Sequence, residues 1–280
     1  MKISVIIPTY KPQAYLWECL DSVVAQTFPK EDFELILVLN GCTEPWKSQI
    51  QEYINSKMNG MNVKFIHTEQ SGVSNARNLA LDVAEGEYIA FVDDDDLISP
   101  NYLAGLYDLS DNETVALSNA YAFNDGVLDI KIPYVISDAY EHYSCLGKVK
   151  SSKVRKYFSG PCMKLINMSF IQGRRFDIRF KNGEDSLFMF LISDRIKWVN
   201  FSSSDAIYYR RYRENSAVTC KKSMKYILTN GLMLISAYSR IYFSNPFKYS
   251  LRRYFYVILG TIHNMYVSIL SCTDIGRHIL

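Results

Sequence analysis

The chain has 280 residues, which predicts one large domain or one domain with an appendage, and its 48% hydrophobic and 21% charged residues exclude a disordered protein. Residues 1–205 carry 20 Lys and Arg against 27 Asp and Glu, a net −7, whereas residues 206–280 carry 11 against 2, a net +9. The six cysteines lack Cys-x-x-Cys spacing and the four histidines are scattered, which argues against a zinc site or a disulfide scaffold and favours a reducing, cytoplasmic compartment.

Residues 1–92 alternate short apolar runs with segments of helical periodicity. The apolar runs predict buried strands, and the periodic segments between them predict helices. Strands that alternate with helices are typical of an α/β protein with a doubly wound, mostly parallel sheet. The predicted strands are 3–7, 33–39, 63–67 and 88–92, and the predicted helices are 12–26, 45–57 and 74–84.

Beyond Asp96 the pattern becomes mixed. Ser99-Pro100 predicts a helix start, with serine as the cap and proline in the first helical position. The basic segment 148–158 is predicted to be a mobile connection. The other predicted elements are strands within 115–135, an extended segment at 160–166, a helix that opens at Gly183 and runs to residue 192, a strand at 199–209, and helices from residue 221 onward.

The C-terminal part of the chain is basic and aromatic. Segment 254–273 carries no Asp, Glu, Lys or Arg and approaches the length of a membrane span, but His263 and Asn264 at its centre favour a helix on a surface or in a core. Helices rich in Lys, Arg, Tyr and Phe are typical of contact with an anionic membrane. Completion of the core or of an oligomer interface is the alternative, and the oligomeric state stays open.

Three polar segments follow strands of the predicted sheet. Pro8-Thr9-Tyr10, Asn40-Gly41 and Asp93-Asp94-Asp95-Asp96 each stand where a strand ends. Because ligands of such sheets bind beyond the carboxyl ends of the strands, these segments are expected to meet at one edge. Asp93 and Asp95 form an Asp-x-Asp pair, and such close carboxylates are tolerable when Mg²⁺ or Mn²⁺ lies among them. A solvated acidic loop that caps the next helix is the alternative.

Three more segments add charge to this edge. In segment 70–78, Gly72 allows a ligand to approach the backbone, and the N-terminus of the following helix favours phosphate. Arg77 is placed to pair with a diphosphate. An ordinary helix cap followed by a surface arginine is an equally open interpretation. At Asn182-Gly183-Glu184-Asp185, simple helix capping competes with a carboxylate base. At 209–216, three arginines and a serine either close over phosphates or form a basic turn.

In chain order these segments resemble the family 2 glycosyltransferases, which have an A-type nucleotide-sugar-binding fold. The resemblance covers about residues 1–218, which it implies are a catalytic domain with a nucleotide-binding part at about 1–110 and an acceptor part at about 111–218. A basic aromatic helical extension follows at 219–280. The matching motifs are Ser4-Val5-Ile6-Ile7-Pro8-Thr9-Tyr10, Ala76-Arg77-Asn78, Phe91-Val92-Asp93-Asp94-Asp95-Asp96, Gly183-Glu184-Asp185 and Arg211-x-Arg213-x-x-Ser216.

The resemblance implies an inverting, metal-dependent hexosyl- or hexosaminyltransferase. Such an enzyme moves a sugar from a nucleotide-sugar, usually a UDP-sugar, to a hydroxyl of a glycan acceptor, here in cell-surface polysaccharide assembly. The implied cofactor is a divalent cation, Mg²⁺ or Mn²⁺. A lipid-linked acceptor and peripheral contact of 219–280 with the inner face of the cytoplasmic membrane would fit this function.

The resemblance also implies roles for acidic and amide residues. Asp93 and Asp95 match the metal-linked pair of the family, and Asp185 matches its catalytic base, with Glu184 beside it. Asn40 stands where the family has the second aspartate of Asp-Asp-Gly-Ser, which contacts the nucleotide base, and its amide can still hydrogen-bond a uracil edge.

The remaining implied contacts surround the diphosphate and the nucleoside. The family's diphosphate-closing loop corresponds to Arg211, Arg213 and Ser216. The other implied nucleotide-sugar-binding residues are Pro8, Thr9, Tyr10, Gly72, Arg77, Asn78, Asp93 and Asp94.

Two other classes of protein stay open. A sugar nucleotidyltransferase would share the strand–helix alternation and the metal aspartates, but it should have a glycine-rich basic loop where this chain has Thr9-Tyr10-Lys11-Pro12. A non-catalytic nucleotide-sugar-binding subunit would keep the pocket and lose the base, whereas Asp185 is retained. Nucleic acid is not expected as a partner, because the acidic body would repel it.

Overall fold

The computed structural model describes residues 1–213 and 222–272. Within them the chain is a mixed α/β protein with a large central sheet, as predicted. Long helices occupy most of the described part of 219–280, in agreement with the predicted helical extension. None of the helices in these two ranges is both long and apolar enough to cross a membrane.

The first half of the chain forms the predicted alternation, with each boundary within two residues of its expected place. β1 and β2 are buried along their whole length because each is mostly apolar and lies between two parallel neighbours. The strands are β1 (Ile3–Thr9), β2 (Phe33–Asn40), β3 (Asn62–Thr68) and β4 (Tyr88–Phe91), and the helices are α1 (Ala14–Val24), α2 (Trp46–Lys57) and α3 (Val73–Val83).

The second half adds shorter strands, four further helices within the body and the two long helices of the extension. The strands are β5 (Leu97–Ile98), β6 (Thr114–Leu117), β7 (Asn119–Asn124), β8 (Val127–Ile132), β9 (Val149–Lys150), β10 (Lys164–Asn167), β11 (Trp198–Phe201) and β12 (Ile207–Tyr212). The helices are α4 (Tyr102–Tyr107), α5 (Val135–Tyr143), α6 (Met168–Ile171), α7 (Glu184–Ile192), α8 (Met224–Ser244) and α9 (Leu251–Cys272).

Three predictions for this half were wrong in detail. The single strand predicted at 199–209 is two strands, β11 and β12, which belong to different sheets. The helix predicted at Ser99 begins at residue 102, because the Ser99 hydroxyl donates to the carbonyl of Asp205 instead of capping a helix. Segment 148–158 is not a loose connection, since it contains β9 and 3₁₀ turns and buries Tyr157.

The strand order positions the site. The large sheet runs β3-β2-β1-β4-β10-β6-β11-β9, and its first four strands are parallel. β10 is antiparallel to both of its neighbours, β4 and β6, so the segment that enters β10 arrives at the edge where β4 ends. A bridge between Phe91 and Cys162 marks this meeting. In the second sheet, β5-β12-β7-β8, the first part of β12 pairs with β5, the strand that follows the acidic run. The end of β12 therefore lies beside the acidic run itself, where the Arg211 N–H donates to Asp96.

The helical extension packs on the body through a small core of its own. The Phe190 ring of α7 lies edge-on to Tyr238, with centroids 5.4 Å apart, and stacked on Tyr249 at 5.5 Å. Leu187 and Leu234 are buried in the same cluster. The helix that begins with Glu184 and Asp185 is therefore in direct contact with the extension.

Candidate active site

The ends of β1, β2 and β4 meet at one edge, as the strand pattern predicted. The Thr9 hydroxyl donates to Oδ2 of Asp94 at 2.5 Å. The Asn40 amide donates to the Thr9 carbonyl at 2.7 Å and accepts from the backbone N–H of Gly72 at 2.9 Å. Tyr10, the next residue after β1, is about half exposed. A hydrogen-bonded network thus joins the strand ends below an open edge.

Asn40 is almost fully buried, and both ends of its amide bind the backbone. Its NH₂ group faces a carbonyl, so an aspartate in its place would bring two acceptors together. This contact is a local physical reason for asparagine where the family usually has aspartate. Pro8 is buried in β1 opposite Val38, and Gly72 has a left-handed φ of +135°, which favours glycine there.

The first two aspartates of the acidic run lie in different environments. The carboxylate of Asp93 is 42% exposed and forms an ion pair with Arg77 at 2.9 Å. Asp94 bonds Thr9, and burial raises its pKa to about 7, with the neighbouring carboxylates adding to the effect. Asp93 is therefore the more available of the two to a cation or a phosphate-bearing ligand.

The last two aspartates face the end of β12. Asp95 pairs with the Arg213 guanidinium at 2.6 Å and is 18% exposed. Asp96 is buried and accepts hydrogen bonds from the Tyr208 hydroxyl at 2.7 Å and from the Arg211 backbone N–H at 2.8 Å. Burial raises the pKa of Asp96 well above its usual range. Asp96 is therefore fully engaged within the protein.

Arg77 connects the acidic run to the predicted base. Its guanidinium donates to Asp185 at 2.6 Å and to Asp93 at 2.9 Å, and it lies 5.3 Å from the ring centre of Phe176. The side chain is 3% exposed. Burial would lower the pKa of Arg77, but the two carboxylates raise it above its usual value. Arg77 is thus a buried bridge between two carboxylates and not an exposed arginine at the cleft.

Asn78, the next residue of α3, holds the segment behind this bridge. Its amide donates to the carbonyl of Phe176 at 2.9 Å and accepts from the N–H of the same residue at 2.8 Å. The Phe176 ring in turn stacks on Phe188 of α7 at 3.8 Å. Asn78 therefore fixes the position of the segment that leads into α7.

Helix α7 presents the two predicted catalytic carboxylates in its first turn. Gly183 precedes it with a left-handed φ of +86°, which favours glycine. Asp185 is 32% exposed; burial raises its pKa, and Arg77 opposes the rise. Glu184 is buried, and its Oε2 lacks a hydrogen-bond partner among the described residues. Burial raises the pKa of Glu184 to about 7, and the negative charge of Asp185 adds to the rise. Of the two, Asp185 is the accessible carboxylate, and it forms an ion pair with Arg77.

The arginines of β12 bind protein carboxylates in this structure. Arg211 is 3% exposed and reaches Glu18 of α1 at 2.5 Å and Asp125 of the β7–β8 turn at 2.6 Å. Arg213 lies beyond the strand, 4.2 Å from the ring centre of Tyr15, and is 24% exposed. Ser216, the third predicted residue of this loop, lies outside the described residues.

Two further residues of the site, Tyr208 and Lys164, are absent from the set predicted from the sequence. Tyr208 is fully buried, donates to Asp96 and accepts from the backbone N–H of Asp93. Lys164 is buried, donates to the carbonyls of Gly160 and Cys162, and burial lowers its pKa to about 7. No motif marks these positions in the sequence, because β12 and β10 reach the site only through the antiparallel and cross-sheet pairings of the second half.

The carboxylates at this edge fit a divalent cation that is shared with a ligand. Among residues 1–213 and 222–272, no group of three or more His, Cys, Asp or Glu side chains is arranged to hold a metal ion. The exposed carboxylate of Asp93 and the nearby Asp95 supply two oxygen donors. Mg²⁺ is commonly held by one or two carboxylates with substrate phosphates as further ligands, so this donor set fits that mode of binding.

Comparison with known proteins identifies relatives of this arrangement. The family description "Glycosyl transferase family 2" matches residues 4–176. The chain is 30% identical over 227 residues to glycosyltransferase GlyA of Streptococcus pneumoniae, which covers 77% of this chain and 31% of GlyA. It is 30% identical over 244 residues to the minor teichoic acid biosynthesis protein GgaB of Bacillus subtilis, which covers 83% of this chain and 26% of GgaB. The chain thus spans less than a third of the length of either relative.

The fold is also that of a solved relative. The crystal structure of TarS 1–349 from Staphylococcus aureus in complex with UDP-GlcNAc has a TM-score of 0.67 and 26% identity to this chain, and the match covers 85% of this chain and 66% of that one. TarS is described as a poly(ribitol-phosphate) beta-N-acetylglucosaminyltransferase. The family match, the shared fold and the convergence of the strand ends together lead to one assignment: the chain belongs to the family 2 glycosyltransferases.

Proposed function

We propose that this chain is an inverting glycosyltransferase that moves a hexosyl or hexosaminyl group from a UDP-sugar to a hydroxyl of a cell-surface glycan. The observation that carries the proposal is the Asp93–Arg77–Asp185 bridge. It holds the predicted base and the predicted donor-binding carboxylate on two sides of one buried guanidinium. A protein that only binds a sugar nucleotide would have no need of a partly exposed carboxylate paired with a buried arginine in this way.

Support for a UDP-sugar comes from the relative of known structure. TarS binds UDP-GlcNAc, and its catalytic part shares the fold of 85% of this chain. In this chain the nucleoside would lie above Thr9, Tyr10 and Asn40, at the edge where β1 and β2 end. A contact of Asn40 with the base would use the amide oxygen lone pair left over beside its bond to Gly72.

The diphosphate of the donor would bind at the acidic run and the end of β12. Asp93 and Asp95 would hold a Mg²⁺ or Mn²⁺ ion, which supplies Lewis-acid stabilisation of the charge on the leaving diphosphate. Arg213 would exchange its pairing with Asp95 for a phosphate oxygen. Asp94 would stay bonded to Thr9 and keep the strand ends in place. Closure over the phosphates by Ser216 remains part of the proposal.

The acceptor hydroxyl would give its proton to Asp185. A base works best when it is ionised at the working pH, and Arg77 favours the ionised form of Asp185 although burial opposes it. Attack from the side opposite the diphosphate inverts the anomeric configuration. Glu184, which is buried behind Asp185 with a pKa of about 7, is assigned a supporting electrostatic role and not the proton transfer.

We also propose that the extension contacts a membrane on which the acceptor is carried. The outward face of α9 is apolar: exposed hydrophobic side chains recur every three or four residues along it. They are Leu251, Phe255, Leu259, Ile262 and Tyr266. The extension also carries exposed basic residues such as Arg240 and Lys248, and anionic headgroups attract such residues. Co-sedimentation with phosphatidylglycerol vesicles at low salt tests the contact, and its absence would contradict it.

Donor turnover separates this function from its alternatives. The purified chain, with Mn²⁺ and a panel of UDP-sugars, is expected to release UDP and to release it faster with a glycan acceptor. A sugar nucleotidyltransferase would instead form the nucleotide-sugar from a sugar phosphate and a nucleoside triphosphate. A non-catalytic subunit would bind UDP and release none from any donor.

A further inference from the structure

A cavity lies beside α7, the helix that carries the predicted base. It has a volume of about 660 Å³ and lies between α7, the 3₁₀ turn that ends at Ser159, and helices α8 and α9. Ser159, Gly183 and Ser186 line it. Asp185 lies between the last two in sequence, and a Cβ atom on Gly160, the residue after Ser159, would be 3.9 Å from its Oδ2. Two segments next to Asp185 therefore line the cavity: the start of α7 and the 3₁₀ turn that ends at Ser159.

The cavity is lined by cations and by aromatic and amide side chains. Among the described residues that line it there is no Asp or Glu, whereas Arg155, Lys156 and Arg253 all line it. Tyr238, in the part of the wall next to α7, lies close enough to Glu184 for that carboxylate to add to the rise in the Tyr238 pKa that burial causes. A site with this charge balance favours an anionic ligand.

Arg253 is the most informative of these residues. Its guanidinium lies 4.3 Å from the Phe158 ring centre and donates to the Ser151 hydroxyl at 3.2 Å. It is buried, and in the described part of the chain no carboxylate forms an ion pair with it. Burial lowers its pKa to about 10. A buried, unpaired guanidinium is costly unless a ligand brings the missing negative charge, and a phosphate suits its planar set of donors.

Helix α9 is apolar on its outward face, and on its cavity side it combines Val257 and Met265 with small and polar residues. Its outward face carries the exposed apolar residues described above, whereas Gly260, Thr261, Asn264 and Ser268 line the cavity. Tyr226 and Asn230 face the same space from α8. A helix that directs small and polar residues inward provides hydroxyl and amide groups for a polar ligand. Aromatic side chains in the wall offer apolar surface to the carbon skeleton of a polyol or sugar.

From these features we propose that the cavity between α7, α8 and α9 is the binding site for a phosphodiester group of the acceptor, so that the acceptor is an anionic glycan or polyol-phosphate chain. This proposal rests on the proposed function, since it names the acceptor class of that reaction. The phosphodiester would bind Arg253 and Arg155. The polyol units next to it would lie along the Tyr226 and Asn230 side of the cavity and lead the accepting hydroxyl toward Asp185.

The test is calorimetric titration of the full chain with a synthetic glycerol-phosphate trimer, with uncharged triglycerol as the neutral ligand. The trimer is expected to bind, inorganic phosphate to compete with it, and triglycerol not to bind. Arg155→Gln and Arg253→Gln should each weaken trimer binding at least tenfold, which corresponds to about 1.4 kcal/mol. Arg155 is exposed, so its substitution keeps the test valid if Arg253→Gln does not fold.

Arg252→Gln is the matched control. Arg252 is also an exposed arginine, but it does not line the cavity. Its guanidinium carbon lies 5.5 Å from the centre of the Tyr256 ring, and that of Arg155 lies 4.5 Å from the same ring centre. Trimer binding should be unchanged in this variant. Equal binding of the trimer by wild type and Arg155→Gln would overturn the proposal, as would equal binding of triglycerol.

Two further arms identify the source of the phosphate and separate this proposal from the function on which it rests. If Arg155→Gln loses binding to phosphatidylglycerol vesicles but keeps binding to the trimer, the cavity recognises a lipid headgroup and the acceptor assignment is wrong. UDP is titrated into the same variants, and its affinity should not change. If wild-type protein binds UDP but not the trimer, the cavity assignment alone is wrong. If wild-type protein does not bind UDP, the proposed function is wrong.

Discussion

Replacing Arg77 with methionine should both destabilise the protein and change the pH dependence of catalysis. The substitution keeps an unbranched apolar stem and removes the cation that contacts Asp93 and Asp185. Breaking a buried ion pair by removing one partner typically costs about 3–5 kcal/mol. The two carboxylates are 42% and 32% exposed and regain contact with water, so we expect the lower end, about 3 kcal/mol.

A surface ion pair in the same region provides the comparison. Arg175 pairs with Asp82 at 2.6 Å, with side chains 36% and 55% exposed. Arg175→Met removes the same charge and should cost about 0–1 kcal/mol. Urea unfolding of both variants measures the difference. Destabilisation of equal size in the two variants would contradict the buried bridge.

The catalytic effect has a defined sign. Burial raises the pKa of Asp185 and Arg77 lowers it, so in Arg77→Met the pKa should rise further. A base must be ionised, and therefore the acidic limb of the rate–pH profile should move to higher pH. Arg77→Lys keeps the positive charge, so its acidic limb should stay close to that of wild type. The profile of acceptor-dependent UDP release is the assay, and an unshifted acidic limb in Arg77→Met would refute the assignment of Asp185 as the base held by Arg77.

Three other substitutions test individual residues. Asp185→Asn should lower transfer by about 10²–10⁴-fold while UDP affinity, measured by calorimetry, stays unchanged, and normal turnover would remove Asp185 from the mechanism. Glu184→Gln should keep transfer activity. In wild type the unfolding free energy should fall as pH rises from about 4.5 to about 7, because a buried acid with a raised pKa destabilises the fold once it ionises, and Glu184→Gln should reduce this fall. Parallel stability–pH curves of the two proteins would count against this. Asn40→Asp should cost about 1–3 kcal/mol in urea unfolding, since it loses the donor to Thr9, and wild-type stability would contradict that contact.

The sequence predicts the structure of residues 1–92 well because its signals there are local. Each strand from β1 to β4 is a short apolar run, and the polar residues that follow must meet at one edge once the strands are parallel. Thr9, Asn40 and Asp94 accordingly form one hydrogen-bonded network. The positions of these residues follow from topology alone.

The partners within the site depend on contacts between distant segments. Arg77 was expected to face a diphosphate, yet it pairs with Asp185, 108 residues later in the chain. Asn78 was expected among the nucleotide contacts, and it binds the backbone of Phe176 instead. A motif fixes the type of residue at a position, but the choice among several nearby acids and cations is decided by burial and packing.

The extension illustrates the same limit. Its composition predicts helices with basic and aromatic residues. The inward direction of Arg253 and the polar side of α9 depend on how α8 and α9 pack on α7, and the sequence periodicity does not reveal which side of an amphipathic helix will face the body.

The most direct test of the central claim is calorimetric titration of UDP, GDP and CMP into the purified chain, with and without Mn²⁺. The proposed function predicts that UDP binds, that Mn²⁺ strengthens its binding, and that Asp95→Asn removes the effect of Mn²⁺ whereas Asp82→Asn, on the surface, does not. Absence of binding by all three nucleotides in folded protein would contradict a nucleotide-sugar donor at the edge formed by β1, β2 and β4.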